Sequence, residues 1–139
     1  MSFEEKSTWI YALIVVALAA IYFAAVVGQL PRTAASDIDY QVPLLAAIGA
    51  SIVLTVAAHV AIAIAAPEDA GKRDQRDKDI NRYGEYVGGI VLSVAAVVPL
   101  ILALVEVDYF WIANTIYLAL IVSATVGSIV KIVAYRRGF

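Results

Sequence analysis

Asp74, Asp77, Asn81 and Glu85 are spaced three and four residues apart, so on a helix turning about 100° per residue they share one narrow face. Three carboxylates and an amide so aligned could dock a partner or ligand, hold a cation, or pair with nearby bases. Lys131, Arg136 and Arg137 near the C-terminus, or Lys6 before the first apolar run, could supply those bases. As a structural lock the face would be worth little per exposed pair, ~0 to 1 kcal/mol. As a functional surface it would bind a partner or ligand.

Metal chemistry is poorly supported. Asp77-Lys78-Asp79-Ile80-Asn81 opens like a calcium loop, but Arg82 stands where the turn glycine belongs and Gly88 where the bidentate glutamate belongs. The chain has no cysteine and one histidine, which excludes disulfide redox chemistry, paired-histidine haem ligation and an ordinary zinc site. No catalytic residue, metal site or cofactor is expected. His59 is the sole ionisable residue well inside the second apolar run, on a row with Ser51 and Thr55 at four-residue spacing. It could relay a proton, or the row could hydrogen-bond helix to helix.

The elements that position these residues follow from composition. Of 139 residues 63% are hydrophobic and 16% charged, with a mean hydropathy of +0.86, far more apolar than a soluble domain. The net charge of -2 gives no electrostatic footprint for nucleic acid. Four runs, 9–27, 42–66, 86–105 and 110–135, are long enough to cross a bilayer. The acidic MSFEEK opening and the length of the first run predict a retained span rather than a cleaved leader. Gly28, Pro31, Pro43 and Pro67 punctuate the runs, and Glu106-Val107-Asp108 is short enough to make the last two an antiparallel hairpin. Pro99 predicts a bend in the third. The expected fold is all-α: a single-domain, compact antiparallel four-helix membrane bundle.

Every Lys and Arg except Arg32 flanks the same side of these runs, which predicts a bacterial plasma-membrane protein with both termini and the 67–85 segment cytoplasmic. That segment carries opposite charges at helical spacing, Asp69 with Arg73, Arg73 with Asp77, Asp74 with Lys78 and Arg82 with Glu85 among them. The third helix should therefore begin near Asp74 or earlier and project beyond the bilayer. Gly84-x-x-x-Gly88, with Gly89-x-x-x-Ser93 beside it, forms a seam at which another helix can approach closely. More such seams than one bundle needs predict a homo-oligomer or a place in a larger membrane complex.

The run Asp74-Gln-Arg76-Asp77-Lys-Asp79-Ile80, after the second of four spans, resembles the D-x-R-D-x-x-I signature of a group of small bacterial membrane proteins. The Ala/Val-rich composition and the Ala134–Phe139 tail resemble actinobacterial members. That likeness implies the four-helix layout and no activity. The reading that follows is a non-enzymatic accessory or regulatory membrane protein that binds a partner through its charged segment. A small transporter is the first alternative, although the first run lacks the acidic residue of small multidrug exporters. A metal-dependent lipid enzyme using Asp74, Asp77 and Glu85 is the second, although the D-G-x-x-A-R pattern of lipid phosphotransferases is missing.

Overall fold

The computed structural model describes residues 2–68 and 74–138. Its helices are α1 (Phe3–Val27), α2 (Gln41–Ala65), α3 (Gln75–Ala95), α4 (Val97–Leu104) and α5 (Tyr109–Arg137), with a 3-10 turn at Ala35–Asp37. Four spans are long and apolar enough to cross a membrane: α1, α2, the combined Gln75–Leu104 unit, and α5. The pairings of Asp69 and Arg73 fall outside the described residues.

The first helix begins well before Trp9. Ser2 caps it, its hydroxyl accepting the Glu5 N–H at 3.1 Å. Ser2-x-x-Glu5 has the serine-to-glutamate spacing that marks helix starts, and it lies outside the apolar run that alone set the predicted boundary. The third span breaks at Ala96, three residues before Pro99. Proline has no N–H for the Ala95 carbonyl, and the next bond, from Leu100 to Ala96, is stretched to 3.3 Å. At the α4–α5 turn Glu106 takes φ 56°, a left-handed helix terminator usually left to glycine. Asp108 then caps α5 by accepting the Phe110 N–H at 2.9 Å.

The spans pack antiparallel, but not as a closed square. α5 lies between α1 on one side and the α3–α4 unit on the other, while α2 packs chiefly against α1. α2 buries none of its residues and turns Leu45, Ile52, Val53, Val56, Val60 and Ile64 outward. In a lipid solvent this costs nothing, because hydrocarbon is as good a neighbour for these side chains as another helix. The expected compact bundle is thus opened on its α2 side.

The α1–α5 contact is large and aromatic. Val15, Ala19, Tyr22 and Val26 form one stripe of α1 and meet Phe110, Asn114 and Tyr117, with Ile38 folded in from the connecting segment. The Tyr22 hydroxyl donates to Asn114 Oδ1 at 2.7 Å, and Asn114 Nδ2 donates to the Phe110 carbonyl at 2.8 Å, so this buried polar pair is satisfied.

The α3–α5 contact is built from small residues. A side chain at Gly84 would strike the Lys131 stem and come within 2.9 Å of the Gly127 carbonyl oxygen, and one at Gly88 would come within 3.2 Å of the Ser123 carbonyl oxygen. Ser123 uses the proximity, donating its hydroxyl to the Gly88 carbonyl at 2.7 Å. At Gly89 no described residue comes within 4 Å of such an added carbon. Gly84→Val should therefore wedge the helices apart and cost about 1 to 3 kcal/mol in detergent unfolding, whereas Gly89→Ala, with open space around it, should be neutral or stabilising by up to about 1 kcal/mol. Equal effects at the two sites would refute the seam.

Candidate functional site

The polar residues gather where the α1 N-terminus, the α3 N-terminus and the α5 C-terminus meet. α3 begins with Asp74, whose carboxylate accepts the Gln75 N–H at 2.6 Å, while Asp77 Oδ2 accepts the Asp74 N–H at 3.3 Å, closing a reciprocal cap. These two acids of the predicted face are thereby engaged in starting the helix. Asn81 is half-buried and Glu85 exposed.

Of the three candidate bases near the C-terminus, Lys131 alone meets that face among the described residues. Lys131 Nζ lies 3.6 Å from Glu85 Oε1, its stem crossing the space left by Gly84. Arg136 turns the other way, toward α1: it lies 3.9 Å from Glu5 Oε1 and 5.3 Å from the centre of the Trp9 ring. Arg137 is exposed and pairs with no described acid. Arg76 Nη2 donates to the Tyr135 carbonyl at 3.4 Å, placing a cation on the orphan carbonyls of the last turn of α5. The Tyr135 side chain itself sits among Asp77, Glu4 and Glu5. Residues of α1, α3 and α5 are thus tied together at this end.

Glu5, which neither charge spacing nor hydropathy singles out, is only 9% exposed. The capping spacing from Ser2 was the available signal: it brings α1 far enough out for its first turn to reach the end of α5. No periodicity could foretell that Arg136 would choose Glu5 over the acids of α3.

The polar row on α2 divides. Four residues of a helix overshoot a full turn by about 40°, so a row at this spacing winds around the helix. Ser51 and Thr55 line a cleft of about 410 Å³ bounded by α1, α2 and α5, whereas His59 is exposed. The Ser51 hydroxyl donates to the Ala47 carbonyl at 2.9 Å, and His59 Nδ1 lies 2.9 Å from the Thr55 carbonyl oxygen, a contact that calls for the Nδ1–H tautomer in the neutral ring. Thr55 Oγ1 and the Tyr117 hydroxyl are enclosed with no hydrogen-bond partner among the described residues. Of the seam, Gly84 and Gly88 pack on α5, while Gly89 and Ser93 face outward, the Ser93 hydroxyl donating to the Gly89 carbonyl at 2.9 Å. Among the described residues no group of three or more His, Cys, Asp or Glu side chains converges as a metal site would require.

No protein-family model, curated protein or solved structure matches this chain. The likeness of Asp74–Ile80 to a motif thus remains confined to that motif, and the identity the observations support is a small membrane protein with four spans.

Because the Glu5 side chain is 12% exposed and that of Arg136 is 64% exposed, removing the base strands a largely buried carboxylate. Arg136→Gln should cost more than the ~1 kcal/mol of an exposed pair and less than the ~3 to 5 kcal/mol of a fully buried one. Arg137→Gln should be nearly silent in the same detergent unfolding assay. Similar losses for both would dismiss the Glu5 contact.

Proposed function

We propose that this chain is a non-enzymatic membrane protein whose charged end is a docking platform for a partner protein. The observation that carries the reading is the division of labour at that end. Glu5, Arg136, Asp74, Asp77 and Arg76 are spent on fixing the three helix ends, while Lys78, Asp79 and Arg82 stay exposed on the rigid first turns of α3. A preorganised charged helix costs little ordering entropy on binding. The docking surface is therefore the outward side of α3 rather than the Asp74, Asp77, Asn81 and Glu85 face, much of which is turned inward or used for capping. Within the spans Tyr22, Asn114 and Ser123 are committed to helix-to-helix bonds, an arrangement that favours a scaffold over a transport path.

On this reading the charged end is cytoplasmic, the side that the Lys and Arg distribution favours, and the chain acts within a homo-oligomer or a larger complex of the bacterial plasma membrane. Cysteines placed at Ser36 and at Gln75 should label from opposite sides of intact cells; labelling of both from one side would overturn the topology.

A photo-crosslinking residue at Lys78 should give one discrete adduct in living cells, and the same residue at the outward-facing Leu13 should not. Lys78 must then be kept out of the charge reversal, so Arg82→Glu with Asp79→Lys provides it. That double change should remove the adduct and shift stability by less than about 0.5 kcal/mol, as expected at exposed sites. An adduct that survives the reversal, or none at all, would refute the docking role.

A further inference from the structure

We infer that the cleft between α1, α3 and α5 is a lipid site, taking the head group of a zwitterionic aminophospholipid of the phosphatidylethanolamine type, with an acyl chain laid along the outer face of α3. The site is distinct from the proposed docking surface and does not depend on it.

The cleft is about 300 Å³, floored by Gly84, Gly88 and Gly127, with Ser128 in its wall and Lys131 and Glu85 at its rim. Two of its polar groups are unspent. Ser128 is only 3% exposed, yet no described residue hydrogen-bonds its hydroxyl. The Lys131 ammonium, on a side chain 18% exposed, is 3.6 Å from Glu85, close enough for attraction and too far for a hydrogen bond. All its N–H donors lack an acceptor among the described residues. An ammonium so enclosed at the edge of hydrocarbon requires acceptors, and a phosphate supplies them.

Charge selects the rest of the head group. Lys131 and Glu85 sum to zero, so a simple anion that gains the lysine also meets the glutamate. A head group with both a phosphate and an N–H-bearing ammonium satisfies the two together. Depth agrees: Glu85 is the last charge of α3 before the uncharged run that begins at Tyr86, and Lys131 lies about 9 Å from the end of α5, at ~1.5 Å per residue. An outer groove of about 410 Å³ shares Glu85 and Gly89 with the cleft and continues past Ile90 and Ser93. Gly89 leaves it open, and Ser93 turns its hydroxyl to the backbone, so the groove offers an acyl chain an apolar track.

Native mass spectrometry of the delipidated full chain, titrated with phosphatidylethanolamine, phosphatidylcholine and phosphatidylglycerol of identical acyl chains, tests this. Phosphatidylethanolamine should bind about tenfold more tightly than either competitor, since choline has no N–H to give Glu85 and phosphatidylglycerol has no cation. Glu85→Gln and Lys131→Gln should each erase the preference, Lys131→Arg should retain part of it, and Gly89→Leu should weaken binding without lowering the thermal midpoint. Equal affinity for the three lipids, or a preference for phosphatidylglycerol, would overturn the inference. So would a dimer that Gly89→Leu dissociates, because a second copy would then occupy the groove.

Discussion

The close approach of α3 to α5 at Gly84, Gly88 and Gly127 is the constraint on which the other contacts rest. Helices in lipid gain nothing from hiding apolar surface from one another, so they associate through close packing and hydrogen bonds. Three glycines in register allow backbone to meet backbone, and this proximity brings the Ser123 hydroxyl onto the Gly88 carbonyl. It also decides where Lys131 can go: its stem lies over Gly84, in the space any other residue would fill, and its ammonium emerges beside Glu85. With α3 set against α5, Arg76 reaches the Tyr135 carbonyl and Asp77 comes beside the Tyr135 side chain. The α3 side of the charged end is thus a consequence of the seam.

A different chemistry holds the other side of α5. Tyr22, Phe23 and Tyr117 pack edge-on or tilted against one another, Phe110 packs edge-on against Tyr40, and Asn114 satisfies the buried Tyr22 hydroxyl. The two interfaces lie toward opposite ends of α5: bulky residues fill one and glycines thin the other. α2 has neither device. It lies on α1 near Leu44 and Ala47, and farther along its length the cleft lined by Ser51, Thr55 and Tyr117 opens between it and α5.

The spans were legible in the sequence because a twenty-residue apolar run has few other uses, and the Gly84-Gly88 seam was legible because spacing alone puts those glycines on one face. The extent of α1 was also written there, in Ser2-x-x-Glu5, but in polar residues to which a hydropathy reading is blind. Partner choice was not legible. Arg136 and Arg137 are adjacent and chemically equal; helix phase points one at Glu5 and Trp9 and leaves the other exposed. The packing order was hidden for a related reason, since a span apolar on every side reads alike whether it faces lipid or protein. His59 could not be placed while the rotation of α2 was unknown.

The arrangement of spans around α5 is the central claim, and disulfide trapping in native membranes tests it most directly, on a chain with no cysteines of its own. Gly88→Cys paired with Ser123→Cys should form an intramolecular disulfide under mild oxidation, because a side-chain carbon at Gly88 would lie 3.5 Å from the Ser123 hydroxyl oxygen. Gly88→Cys paired with Thr55→Cys, on a helix that packs against α1 instead, should stay reduced. A disulfide in the second pair and none in the first would contradict the account.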